Sequence, residues 1–328
     1  MQISCQSQLS VHVESYFYIH TVEMVYGPLP LTLETVLIVQ TSLIVGFNSA
    51  VWFLFLKRRN LRNKSNYFMA SLSASHLFLG LFGIPCYVSS RRKMNSTLVL
   101  CTEVFYYFLC SSILNMYLVT YERYLSIMKP LYYHRRMSNT FVVAAICTAW
   151  LLPSVPITVD ALFRTTMRMH RFSTGYLVYH WMQTLTFLVI FLLLAAVNTA
   201  MFRVAKRQLQ AIQAAHVMNS TIHRRLSGQS NRREKRTTFF FVYIVTTFVV
   251  FWLPRIGCEV YELVHYKILD HTDLDVVTLC IALLNPIFDP LIYLFFKADF
   301  KRAMRKMLRR RYMLRARVSP VRNVSRVN

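Results

Sequence analysis

The sequence predicts an all-α membrane protein, a seven-transmembrane helix bundle with a short amphipathic eighth helix. Of 328 residues, 55% are hydrophobic and only 16% charged. A soluble domain carries about 25% charged residues, so lipid must take the place of the missing polar surface. Seven stretches reach the roughly 20 apolar residues that a helix needs to cross a hydrocarbon layer about 30 Å thick. The 38 Lys and Arg outnumber the 14 Asp and Glu, leaving a net charge of +24, and they are gathered in a few connecting segments. Seven scattered cysteines (Cys5, Cys86, Cys101, Cys110, Cys147, Cys258 and Cys280) form no CxxC or CxxH pair. That excludes a disulfide scaffold and a zinc finger.

Taken in order, residues 1–32 read as an N-terminal segment with no Lys or Arg. They lack the basic and apolar regions of a signal peptide, so the first span is expected to serve as its own insertion signal. The bundle is assigned to 33–296, with spans at 35–56, 67–88, 98–121, 141–159, 182–202, 237–254 and 276–296. The third holds one acid, Glu103, and the seventh is interrupted only by Asp289, while the others are uncharged. Backbone groups cannot stay unpaired in lipid, so each span must be helical, and the ten-residue alternation of a membrane β-barrel is absent. Residues 297–308 place Phe296, Phe300, Met304 and Leu308 on one stripe, with Lys301, Arg302, Arg305 and Lys306 off it. This is the pattern of a helix lying on anionic inner-leaflet lipid. A basic tail, 309–328, follows; without interleaved aromatics or a nucleic-acid fold it is not read as binding nucleic acid. Thirty of the 38 basic residues fall in 57–66, 123–136, 203–236 and 297–328. The bias places those segments in the cytoplasm and the N-terminus outside.

Along these spans stand Gly46-Phe47-Asn48 in the first, Glu122-Arg123-Tyr124 closing the third and Trp150 in the fourth. Phe251-Trp252-Leu253-Pro254 follows in the sixth and Asp289-Pro290-Leu291-Ile292-Tyr293 in the seventh, with Phe300 seven residues later. In this order and spacing, across all seven spans, the chain resembles the class A, rhodopsin-like G protein-coupled receptors. The resemblance implies a multi-pass plasma-membrane receptor that binds an extracellular ligand and passes the signal to a heterotrimeric G protein, with no cofactor and no catalysis of its own. Pro254 and Pro290 each remove a backbone hydrogen bond and form hinges, so the inner end of helix six can swing outward. Arg123 needs a partner in the closed bundle. Glu122 is adjacent, and Glu234 lies about 27 Å down helix six from Trp252, where the family has an acid that locks this arginine. A solvated Glu234 within the basic run 232–236 is the alternative.

Several departures qualify the resemblance. The family's bridge from helix three to the second outer loop is impossible, because 160–181 hold no cysteine; Cys101 is left as a free thiol or as a partner for Cys5. Helix five has Ile190 in place of a proline. Together these give a loose similarity to the melanocortin, lysolipid and cannabinoid receptors. Phe105 stands where amine receptors carry an aspartate, which argues against a biogenic amine, and Leu283 where opsins carry lysine, which excludes retinal. The resemblance places the ligand among Phe105, Tyr106, Leu109, Met182, Gln183, Thr186, Trp252, Arg255, Ile256, Glu259 and Leu279, an apolar pocket with few polar handles. Arg255 there needs an anion: Glu259, Glu103, or an anionic or amphipathic ligand.

His76 replaces the helix-two aspartate that in the family binds sodium with Ser112, Asn285 and Asp289, near Asn48. An imidazole is a poor ligand for a hard cation, so strong sodium binding is not expected. His76 is either neutral and hydrogen-bonded in the core or, when protonated, paired with Asp289. A proton-coupled transporter relaying through His76 and Asp289 is the competing class. No paired catalytic carboxylates, GxSxG or Gly-rich phosphate loop points to an enzyme. The sequon at Asn95 is expected to be glycosylated, being the one in an outer segment.

Overall fold

The structure, a computed structural model, describes residues 29–92, 96–159, 188–197, 199–204, 246–261, 272–297 and 299–307, with a few single positions between and beyond them. Residues 1–28, Asn95, Met182, Gln183, Glu234 and Leu308 lie outside the described residues, as does nearly all of 309–328. Every regular element among the described residues is a helix. Five are long and apolar enough to cross a membrane: Leu31–Lys57, Lys64–Arg92, Cys101–Ser126, Asn139–Val159 and Asp273–Phe296. They overlap the first, second, third, fourth and seventh expected spans and mostly run a few residues beyond them. The fifth span is helical over most of 188–204 and the sixth over 246–261. The chain is a seven-helix bundle.

The first helix shows how lipid inverts the usual pattern. One stripe, Leu37, Gln40, Ile44, Asn48 and Val51, is buried, while Val36, Ile38, Val39, Leu43 and Phe53 on the other sides are exposed. An apolar helix with a single buried stripe is stable only if its remaining faces meet hydrocarbon. The second helix is the most enclosed, with 68–76 continuously buried. Its first turn is capped by the Asn63 side chain, which accepts from the Asn66 amide at 2.9 Å. It widens into a π turn at Leu79–Gly83 just before Pro85, a local unwinding that turns the following residues to a new face. Gly80 sits in this turn because a Cβ there would meet Val45 at 2.9 Å and Ile44 at 3.1 Å on the first helix.

The seventh span is broken. Thr272–Ala282 gives way to a turn at 283–284, and the helix restarts as Asn285–Phe296 with Pro286 in its first turn and Pro290 inside. Expected at Pro290, the interruption falls nearly two turns earlier, where Pro286 fits the first turn without losing a helical hydrogen bond. In the eighth helix Phe300 is fully buried and Ala303 nearly so, whereas Phe296 is half exposed. The expected single stripe through Phe296 and Phe300 is therefore corrected. Phe296 still belongs to the seventh helix, and the intervening Lys297 is extended, so the two phenylalanines point different ways. Phe300 packs on the bundle rather than along its outer surface.

Candidate functional site

Three constellations stand out, at the two ends of the bundle and in its middle. At one end the third helix buries Glu122 and Arg123, which form an ion pair at 2.7 Å. The hydroxyl of Tyr133, on the short helix Pro130–Arg136, donates to Glu122 Oε1 at 3.0 Å. Burial, reinforced by the Glu122 carboxylate, pushes the Tyr133 phenol up to about 12. Across from them Tyr293 is fully buried and Tyr124 half-buried. Lys297, where the seventh helix ends, donates to Asn66 and at 3.3 Å to Ser65. Burial first, and the Arg123 charge next, hold its ammonium well below the usual lysine range. Lys64 donates to the Met137 carbonyl at 2.5 Å. Glu122 is thus a partner of Arg123, and Glu234 lies outside the described residues.

In the middle, polar side chains knit five helices together. Asn48 donates to Ile44 O at 2.8 Å and to Pro286 O at 2.9 Å, tying the first helix to the break in the seventh. Ser71 donates to Asn115 at 2.6 Å and accepts from the Trp150 indole at 3.0 Å, joining helices two, three and four. Buried His76 Nε2 lies 3.9 Å from buried Asp289 Oδ2, beyond hydrogen-bonding distance. Asn285 donates to Asp289 at 3.2 Å, and Ser112 donates to the Leu109 carbonyl. Among the described residues, His76 Nδ1, Asp289 Oδ1, Asn48 Oδ1, Asn285 Oδ1 and Ser73 Oγ have no hydrogen-bond partner. The expectation of a hydrogen-bonded, neutral His76 is therefore corrected on one point, because among the described residues the ring comes close to Asp289 while its Nδ1 finds no partner. The set holds a single carboxylate, Asp289, with the His76 imidazole beside it; its other oxygens are neutral amides and hydroxyls.

At the other end Arg255 forms ion pairs with Glu259 at 2.5 Å, one helical turn on, and with Asp275 on the seventh helix. It also donates to the Asp275 carbonyl at 3.3 Å. Of the expected anions Glu259 is confirmed. Asp275 was not foreseen, because a pairing across helices leaves no local spacing; its only trace in the sequence is an acid at the same end of the neighbouring span. The residues expected to line a ligand pocket divide. Phe105, Leu109, Trp252, Ile256 and Leu279 are buried, Tyr106, Arg255 and Glu259 half-buried, and Thr186 exposed. Phe105 is wedged against Tyr87, ring centroids 4.8 Å apart, and against Tyr106 at 5.4 Å. It is packed as core. At the same end Arg92 pairs with Glu34, linking helices one and two.

Residues 47–293 match the 7 transmembrane receptor (rhodopsin family) pattern. Among known proteins, 5-hydroxytryptamine receptor 6 of Mus musculus is 27% identical over 82% of this chain and 68% of its own length. The Histamine H4 receptor of Mus musculus is 27% identical over 58% of the chain and 52% of its own length. The Histamine H2 receptor of Homo sapiens is 24% identical over 83% and 77%. The chain thus spans between about half and about three quarters of the length of these relatives.

Proposed function

The chain belongs to the rhodopsin family of seven-transmembrane receptors, and from that premise we propose that it is a plasma-membrane receptor whose Arg123 end faces the cytosol and activates a heterotrimeric G protein. Membership in a receptor family also leaves the transporter reading of His76 and Asp289 without footing. The concentration of base in the segments at the Arg123 end supports the orientation, with Asn95 then outside and open to glycosylation. A ligand reaching the Arg255 end favours a state in which the inner part of helix six swings outward about Pro254. Arg123 leaves Glu122, and the inner cavity beside Tyr293 opens for the G protein. Glu234 serves as a second anion for Arg123 in the closed state. The exposed Arg302, Arg305 and Lys306 of the eighth helix contact anionic lipid.

The observation that carries this reading is the buried Glu122–Arg123 pair. That pair lies within one helix and can open without separating two spans, whereas the Glu234 contact, made between helices three and six, breaks when helix six swings. For the ligand, buried Phe105 offers no counter-ion on the third helix, and residues 276–296 contain no lysine for retinal. Arg255 already meets two carboxylates, so an anionic group finds no vacant partner there, and an apolar or amphipathic ligand fits better. One observation favours a second reading. The names of the relatives speak of 5-hydroxytryptamine and histamine, and the cluster of Arg255, Glu259 and Asp275 carries one excess negative charge that would suit a cation.

Coexpression with a panel of Gα subunits tests the function. Wild-type chain is expected to raise nucleotide exchange on at least one subunit, and Arg123→Ala to remove that increase at equal surface expression. No increase on any subunit, alone or with amines and amphipathic lipids added, contradicts the reading.

A further inference from the structure

Cys86 and Cys101 lie on different helices, fifteen residues apart in sequence, and were not paired by any sequence pattern. The fold brings them together. The second and third helices run antiparallel and come close at Gly83 and Phe105, where a Cβ on Gly83 would stand 3.5 Å from the Phe105 Cα. The two backbones are thus within about 5 Å at that level, inside the Cα separation of about 4.4–6.8 Å that disulfides span. One turn toward the Arg255 end from Gly83 is Cys86, and one turn in the same direction from Phe105 is Cys101. The rings of Tyr87 and Phe105, tilted 34° to each other with centroids 4.8 Å apart, hold the register between them. Both cysteines are partly exposed, and their side chains approach closely enough for the two thiols to interact. The π turn at Leu79–Gly83 is what aims Cys86 toward the third helix. An isolated buried thiol needs none of this arrangement.

We propose that Cys86 and Cys101 form a disulfide that staples the outer ends of the second and third helices. It takes the place of a tether from the third helix to the second outer loop, which this sequence cannot make. The proposal rests on the orientation argued above, which puts this end of the bundle on the oxidising side of the membrane. Bond formation removes the hydrogen from each thiol and joins the two sulfurs. The two electrons and two protons pass to the disulfide of an oxidised dithiol–disulfide oxidoreductase, which leaves as its dithiol. The first thiolate attacks that disulfide to give a mixed disulfide, and the second thiolate resolves it. Closed, the bridge fixes the third helix one turn from Phe105, so it sets the shape of the ligand-facing end without contributing a group to it.

The test is peptide mapping of the full-length receptor purified from eukaryotic membranes, with free thiols blocked by N-ethylmaleimide before digestion without reductant. The expected result is a cross-linked pair of peptides carrying Cys86 and Cys101, two hydrogens lighter than the separate peptides, which comes apart on reduction. Unmodified receptor should lose thermal stability on reduction, whereas Cys86→Ser/Cys101→Ser should melt at the same temperature with and without reductant. Recovery of both cysteines as maleimide adducts overturns the proposal, as does a Cys5–Cys101 peptide. The same map reads Asn95. A glycan there beside two alkylated cysteines overturns the disulfide and leaves the orientation standing. An unglycosylated Asn95 with both thiols free and closed to a membrane-impermeant reagent overturns the two together.

Discussion

Each end of the bundle holds one arginine among acids, and the two arrangements are built for opposite purposes. At one end Arg123 meets Glu122, its neighbour on the same helix, so the ion pair joins no two spans. At the other, Arg255 on the sixth helix is shared by Glu259 and by Asp275 on the seventh. The first contact can open while every helix stays packed; the second must be lost before helices six and seven can part. A pair within one helix is suited to switching and a pair between helices to clamping. If helix six swings, its Arg255 end is the pivot and its opposite end is the part that moves.

The largest effect should come from breaking the clamp. Arg255→Ala removes the cation that Glu259 and Asp275 share, at a cost of about 3 kcal/mol, the lower end of the range for a broken buried pair because these groups are partly exposed. Surface expression and the melting temperature in detergent should both fall, while basal nucleotide exchange per surviving receptor stays near wild type. Unchanged melting with raised basal exchange would make Arg255 a switch and erase the distinction between the ends.

A smaller effect is expected midway. His76→Asp supplies the second carboxylate that the polar core lacks, so sodium should begin to favour the closed state. Basal exchange should then drop about tenfold in sodium relative to a potassium or choline buffer, a shift of about 1.4 kcal/mol. Strong sodium sensitivity in the unmodified receptor would refute the reading of this core.

Smallest is the effect of Tyr133→Phe, which removes one hydrogen bond from a Glu122 that keeps its ion pair with Arg123. Basal exchange should rise about twofold, consistent with a half-exposed bond worth about 0.5 kcal/mol. The folded phenol sits above its ordinary value of 10.0, at about 12. Its contribution is therefore complete below pH 10 and lost only as pH climbs through that window. Titration from pH 6 to 9 should show no step that Tyr133→Phe abolishes.

Much of this was legible in the sequence, because membranes leave few alternatives. Span length, the scarcity of charge between residues 35 and 56, and the order of the motifs from Asn48 to Tyr293 follow from the need to satisfy every polar group in lipid. What stayed hidden depends on which faces meet. Asp275 lies twenty residues from its partner Arg255, and Cys86 and Cys101 come together only through the packing of the second helix on the third. The split between Phe296 and Phe300 needs the extended Lys297. The break at 283–284 was misplaced because a proline inside a span marks a weakness without saying whether the helix bends there or restarts nearly two turns away. Phe105 was rightly singled out as apolar. Its packing against Tyr87 comes from a neighbouring helix, which no local pattern connects to it.

The claim on which the rest depends is that Glu122 holds Arg123 in the inactive bundle. It is tested most directly by basal nucleotide exchange on a purified G protein, with wild-type and Glu122→Gln receptors reconstituted at equal density in lipid nanodiscs. Removing the carboxylate charge takes away a contact that only the closed state makes, so exchange without ligand should rise about tenfold for a shift of about 1.4 kcal/mol. Arg123→Ala in the same background should abolish the rise. Exchange that is unchanged or lower in Glu122→Gln, with melting behaviour like wild type, would contradict a switch at this end of the bundle.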